Sequence, residues 1–169
     1  MRRGIPRQQT DALLLVKKNH VGYGVYAGRA IEKGVSICTM RGKTNGAYVL
    51  YLKGNAFRRA IVDPLQIGAN EYVDLAEPFI YINHSCDPNA ALRGKNELFA
   101  FRTISPGEEI TFDYSTTVDE TFLCRCGSKK CRKFIPVDFF GLPRRLQAYY
   151  VRHKAVPTHI EQKYKKQQA

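Results

Sequence analysis

The chain has 169 residues, 44% hydrophobic and 25% charged, with 27 Lys and Arg against 15 Asp and Glu and a formal charge of +12. That length suits one domain with tails, since domains most often run to roughly 100–150 residues. No stretch reaches the roughly 20 apolar residues a membrane helix needs, so no membrane partner is expected, whereas the positive charge favours anionic surfaces such as nucleic acid or chromatin for a weak contact.

Residues 1–10 carry Arg, Gln and Pro without apolar periodicity and read as a flexible basic arm. Leu13-Leu14-Leu15-Val16 is too short for a secretory signal and follows Asp11 where a basic region belongs. An intracellular, reducing compartment is expected: cytoplasmic in a bacterium, nuclear or cytoplasmic in a eukaryote. A domain over 11–120 begins with a strand at 11–18. It continues through short runs of β-branched and aromatic residues at 21–28, 35–40, 60–63, 71–75, 98–102 and 109–112, most of them bounded by Gly, Pro or Asn. This is a mostly β pattern with no internal repeat and no βαβ rhythm. Residues 46–59 fit a strand pair and a short helix equally well. Residues 121–135 hold a cysteine cluster. In 136–169, Pro143 opens a helix to Arg152, with leucine and tyrosines at near-helical spacing, and the polar basic tail beyond Pro157 is expected to fray.

Three segments carry hydrogen-bonding chemistry. Tyr81-Ile82-Asn83-His84-Ser85-Cys86-Asp87-Pro88-Asn89 ends an apolar run in a dense polar cluster, which needs partners wherever it is buried, and Asp-Pro-Asn forces a turn after it. Gly22-Tyr23-Gly24 is a bend in which glycine lets backbone approach a ligand closely; the helix of a dinucleotide site and the Gly-Lys-Ser/Thr of a phosphate loop are missing. Pro106-Gly107-Glu108-Glu109-Ile110-Thr111-Phe112-Asp113-Tyr114 is a turn, a pair of carboxylates and a strand ending in Asp-Tyr. Of five cysteines, three fall in Cys124-Arg125-Cys126-Gly127-Ser128-Lys129-Lys130-Cys131, a spacing that in a reducing compartment suggests metal before disulfide. Cys38, in an apolar strand, reads as a buried hydrophobe.

With GYGVYA (22–27), INHSCDPN (82–89), EEITFDY (108–114) and CRCGSKKCR (124–132) in this order, the chain resembles the SET-domain family of S-adenosylmethionine-dependent protein-lysine methyltransferases, over about residues 12–135. The size and the C-terminal DFFGLPRRLQAYY are similar to short stand-alone members. The resemblance implies a SET fold of several small sheets with a pseudoknot, followed by a post-SET zinc segment. It implies cofactor contacts from Gly22, Tyr23, Gly24, Asn83 and His84, and a catalytic Tyr114 with Phe112 two residues before it. It also makes Cys86 the fourth zinc ligand beside Cys124, Cys126 and Cys131, closing the tetrahedron that a structural zinc site wants.

The partner so implied is a histone or other protein carrying a target lysine, and Phe112 implies di- or trimethylation. Met40 stands where the family commonly has a tyrosine lining the lysine pocket, and Ile80 where it commonly has an arginine. No cysteine-rich pre-SET region is present. Two readings compete: a SET-fold methyltransferase acting on a non-histone or small-molecule substrate, and a non-catalytic SET-type binding module. A zinc-ribbon half-site on nucleic acid lacks its second Cys-x-x-Cys.

Overall fold

A computed structural model describes residues 13–20, 22–43, 64–69, 71–117 and 121–168. Twelve short strands and two helices are seen among them: β1 (Leu14–Asn19), β2 (Gly22–Ala27), β3 (Ser36–Thr39), β4 (Gly42–Lys43), β5 (Pro64–Gln66), β6 (Tyr72–Leu75), β7 (Asn83–His84), β8 (Ala90–Arg93), β9 (Glu97–Ala100), β10 (Thr111–Phe112), β11 (Phe122–Leu123), β12 (Phe134–Ile135), α1 (Arg144–Arg152) and α2 (Thr158–Gln168). They form five small sheets: β1–β2, β3–β9–β8, β4–β6–β5, β7–β10 and β11–β12, and only β7–β10 is parallel. The expected strands appear in shortened form, except that the one at 60–63 and the undecided 46–59 lie outside the described residues. The two- and three-residue strands β4, β5, β7, β11 and β12 were not foreseen, nor was β8, because Ala-Ala-Leu-Arg lacks the β-branched and aromatic residues that mark a strand.

The β8–β9 pair divides the interior. Ala90, Leu92, Leu98 and Ala100 point into a main core with Val25, Met40, Ile82, Ile110 and Phe112. The alternate residues Ala91 and Phe99 point the other way, into a second core with Phe139, Leu142, Tyr150, Val156 and Ile160. Strand side chains alternate between faces, so this sheet is buried on both sides and needs a cover for its outer face. The C-terminal segment supplies it. α1 forms as expected, with Pro143 before its first residue and Gln147 and Tyr150 buried.

The expectation of a frayed tail is corrected: residues 158–168 are helical. Only Ile160 and Tyr164, one turn apart, mark its apolar side, too short a stripe to stand out in a sequence dominated by Lys and Gln. Docking stabilises it, since burying an isoleucine contributes about 1.5–3 kcal/mol. The Glu161–Lys165 pair on the exposed side and the Lys163 ammonium 4.4 Å from the Phe140 ring centre add to this. Between the helices, Lys154 adopts φ +51°, a left-handed conformation usual for glycine that costs a lysine about 1 kcal/mol.

Candidate functional site

The segments 22–24, 83–84 and 109–114 meet at one place. Gly22 begins β2 at φ +130°, open only to glycine, and a side-chain carbon added there would touch nothing within 4 Å, so the space beside it is clear. Gly24 is constrained differently: an added carbon would collide with the Glu109 carboxylate. That carboxylate accepts from Asn19 Nδ2 at 3.0 Å and Asn83 Nδ2 at 2.7 Å, and Asn83 Nδ2 also donates to the Tyr23 carbonyl at 2.9 Å. Glu109 thereby joins β1 to β7, and Asn83 carries the link on to β2. Both amide protons of Asn83 are committed to the protein, and its side-chain oxygen makes no hydrogen bond among the described residues.

Asn83 pairs with Thr111 and His84 with Phe112 in the parallel β7–β10 ladder. Asn89, 2% exposed, templates that ladder: its Nδ2 donates to Glu108 Oε1 and the Glu109 carbonyl at 2.9 and 2.7 Å, and its Oδ1 accepts from the Thr111 amide at 2.9 Å. Beyond the ladder the Tyr114 amide donates to His84 Nδ1 at 3.1 Å, and the Tyr114 hydroxyl donates to the Ile82 carbonyl at 2.8 Å. Phe112 is buried against Tyr114, ring centres 4.9 Å apart, and Phe122 from β11 closes on Tyr114 at 6.2 Å and His84 at 6.5 Å. Met40, expected to line a pocket, is fully buried in the main core. Ile80 lies in the 3-10 turn Phe79–Tyr81, half-buried.

Three thiols are brought together from distant parts of the chain, with Cys86 Sγ 3.6 Å from Cys124 Sγ and Cys126 in the same cluster. Cys131 lies within hydrogen-bonding reach of both Cys124 and Cys126. A tetrahedron with arms of about 2.3 Å has edges of about 3.8 Å, so the 3.6 Å spacing suits a shared metal ion. His84 Nε2 stands 3.2 Å from Cys86 Sγ and completes an alternative set of His84, Cys86, Cys124 and Cys126. Cys131, expected from sequence as a ligand, lies outside that group of four and turns its Sγ to the Cys124 carbonyl at 3.6 Å, while the hydrogen bonding of His84 argues against the ring as a ligand. A neutral imidazole whose Nδ1 accepts a backbone N–H carries its proton on Nε2, which therefore donates to sulfur and has no lone pair for a metal. Burial lowers the His84 pKa to about 4, against the opposing pull of Asp113, and keeps the ring neutral. Cys126 is lowered to about 7: burial raises it, and the Cys86 and Ser128 amides and neighbouring thiols more than offset this. Cys38 packs half-buried against the main core, where burial pushes its thiol up to about 12.

Asp113 is a hub that sequence reading treated only as a strand end. Its carboxylate, 1% exposed, accepts both arms of the Arg132 guanidinium at 2.7 and 2.8 Å, the Tyr150 hydroxyl of α1 at 2.9 Å and the Ser115 amide at 3.1 Å. Burial alone would raise its pKa, but the Arg132 fork outweighs burial and holds it below the usual carboxylate range. Arg132 also donates its backbone N–H to Cys86 Sγ at 3.4 Å. One buried carboxylate thus ties Tyr114, the cysteine segment and the C-terminal helix together. Neither Arg132 nor Tyr150 carried a sequence signal beyond standing next to Cys131 and inside a predicted helix.

The SET-domain family model matches residues 22–115, more than half the chain. The chain belongs to the SET-domain family. It is similar to a probable histone-lysine N-methyltransferase, set-23, of Caenorhabditis elegans, with 31% identity over 138 residues, 69% of this chain and 57% of that protein. Among solved structures it is similar to the methyltransferase domain of human SETMAR, at 25% identity and TM-score 0.53, covering 74% of this chain and 58% of that one. The fold is shared as well with KRYPTONITE in complex with DNA, an H3(1-15) peptide and SAH, at 24% identity and TM-score 0.51, over 73% of this chain and 29% of that one. The chain thus spans somewhat more than half the length of set-23. Several small sheets followed by the helix α1 are the SET architecture expected from sequence, and α2 is an addition to it.

Proposed function

We propose that this SET domain is a protein-lysine N-methyltransferase that uses S-adenosylmethionine and acts on a histone or another protein lysine. The observation that carries the reading is the junction of Asn83, the clear space beside Gly22 and the Tyr114 hydroxyl. The cofactor fits the donor set: the uncommitted Asn83 oxygen suits an ammonium group, the backbone at Gly22 and Tyr23 can be approached closely, and His84, Phe122 and Tyr114 form an aromatic wall for adenine. When bound, the cofactor supplies a methyl group on a sulfonium.

The protein's share is to present a neutral amine in line with that methyl. A free lysine, with a pKa of about 10.4, is almost wholly charged at neutral pH, and a dry aromatic pocket favours the uncharged form. Tyr114 spends its proton on the Ile82 carbonyl, so its oxygen faces an incoming amine as an acceptor and turns the nitrogen lone pair toward the methyl. The work is positioning and exclusion of water. Such an enzyme would work inside the cell, nuclear in a eukaryote. No helix among the described residues is long and apolar enough to cross a membrane.

S-adenosylhomocysteine should raise the melting temperature by an amount that grows as RT ln(1 + [L]/Kd), and Asn83→Ala should abolish the rise. No shift in the wild-type protein at saturating ligand would favour a non-catalytic binding module. Labelled cofactor with a histone panel and a cell lysate, read by mass spectrometry, would identify the substrate and separate protein from small-molecule transfer.

Zinc held by Cys86, Cys124, Cys126 and Cys131 belongs to the same proposal, His84 being a hydrogen-bond donor to the site. Metal analysis should find one zinc per chain, lost in Cys86→Ser, and chelation should disorder residues 121–135 and abolish activity. Full zinc occupancy in Cys86→Ser would refute the ligand set.

Product state follows from Phe112. A tyrosine there would offer a hydroxyl to hold a water in the space a further methyl needs, and phenylalanine cannot, since a site water requires polar partners. Long incubation should therefore yield two or three methyls with wild type and mainly one with Phe112→Tyr. A wild type that stops at one methyl on its preferred substrate contradicts this.

A further inference from the structure

Positive charge is unevenly spread. Residues 121–169 hold twelve lysines and arginines against two acidic residues, so +10 of the chain's +12 lies in this C-terminal part. Some of it is neutralised locally, Lys130 by Asp87, Lys163 by Asp138 and Lys165 by Glu161. The outer face of α1 is not. Gln147 and Tyr150 turn inward, which leaves Arg144, Arg145, Ala148, Tyr149 and Arg152 together on the exposed side. Among the described residues no carboxylate pairs with any of the three arginines or with Lys154, just beyond the helix. Tyr149, 41% exposed, lies against the exposed His153 with ring centres 4.4 Å apart, a flat aromatic surface between the cations. Beside them an open groove of about 750 Å³ runs between α1 and the end of α2, lined in part by Arg144, Arg145, Gln167 and Gln168.

This face opposes local stability twice, each time toward positive charge. Arg144 and Arg145 occupy the first turn, where the helix dipole disfavours cations, and no acidic residue offsets them there. Lys154 holds the left-handed conformation that glycine would hold without strain. Local rules broken without structural compensation mark functional surfaces.

We infer that the outer face of α1, with Lys154 and the adjoining groove, docks the phosphate backbone of nucleic acid. Guanidinium forks match phosphate oxygens two at a time, exposed tyrosine and histidine rings offer stacking, and amides line the groove. A membrane surface is disfavoured, because the large aliphatic residues of both helices pack on the second core and, of their large apolar side chains, only Tyr149, with its polar hydroxyl, is left exposed. Contact with phosphates positions without reading sequence, so the binding is nonspecific and strongly salt-dependent.

The test is fluorescence anisotropy of the whole chain with a labelled DNA duplex of about 20 base pairs, titrated from about 50 mM salt upward. Binding should weaken steeply with salt. The triple variant Arg144→Gln, Arg145→Gln, Arg152→Gln should bind at least about 10-fold more weakly, with the slope of log K against log salt reduced by about 2.7, or 0.9 for each phosphate contact removed. An equal charge change elsewhere, Lys18→Gln, Arg29→Gln, Lys33→Gln, should leave affinity within about 3-fold. Lys154→Gly is the sharper variant: it should raise the melting temperature by relieving strain while weakening binding, which no purely structural role predicts. The inference is overturned if the duplex is not bound at low salt, if both triple variants lose affinity equally, or if phosphatidylserine vesicles or polyglutamate bind as tightly as the duplex. No cofactor or turnover enters these measurements, so they stand apart from any test of methyl transfer.

Discussion

Asp113→Ala should destabilise the protein by about 3–5 kcal/mol, the usual cost of removing one partner from a buried ion pair. The alanine leaves the Arg132 guanidinium, 16% exposed, without its counter-charge, removes the acceptor of the buried Tyr150 hydroxyl and takes away the side chain that accepts from the Ser115 amide. Urea or thermal unfolding reads the loss, and hydrogen exchange should place it in both the 121–135 segment and α1, the two elements held by this carboxylate. Asp113→Asn should fall between, since an amide keeps shape and some hydrogen bonding but not charge. Because the folded-state pKa of Asp113 is depressed, the pair's contribution is fully present above a pH of about 4 and is lost as the pH falls through the folded-state value. The stability difference between wild type and Asp113→Asn should therefore shrink in acid. A cost under about 1 kcal/mol for Asp113→Ala would show that the network contributes little and that the cysteine segment is held by its other contacts, Ile135 among them.

Tyr114→Phe should lower kcat by about 10²–10³ with S-adenosylhomocysteine affinity unchanged, if the hydroxyl orients the amine in the transition state as proposed. The substitution keeps the ring against Phe112 and His84 and removes one hydrogen bond to the Ile82 carbonyl, so stability should fall by only about 1 kcal/mol. The separation of a large kinetic effect from a small thermodynamic one is the signature of a positioned hydroxyl. Activity within a few-fold of wild type would assign the orienting role to another group.

Much of the candidate site was legible in the sequence. Glycine at 22 and 24, the Asn-His-Ser-Cys run, the Phe-Asp-Tyr end of a strand and the three clustered cysteines are rare combinations, and each uses a residue type that few others can replace in its place. Gly22 needs φ +130° and Gly24 must make room for Glu109. The α1 helix was legible because Pro143 opens it and its buried residues recur at helical spacing. α2 was not, because two apolar residues one turn apart do not outweigh a polar composition until a second core is there to receive them.

What the sequence by itself determined is the set of chemical groups and the turns that present them: three clustered thiols and a fourth in the Asn-His-Ser-Cys run, a hydroxyl after a strand, and a turn held by Asp-Pro-Asn. Only the tertiary structure decided which groups meet. Cys86 reaches Cys124 across 38 positions, Asn83 reaches Glu109 across 26, and Asp113 reaches Arg132 across 19 and Tyr150 across 37. Nor could the sequence say that His84 turns its Nδ1 to the Tyr114 amide and so donates to sulfur from Nε2; the parallel register of β7 against β10 sets that. The reason is physical: local propensities act over about four residues, while these contacts depend on strand registers that are chosen only when both faces of β8–β9 are buried together.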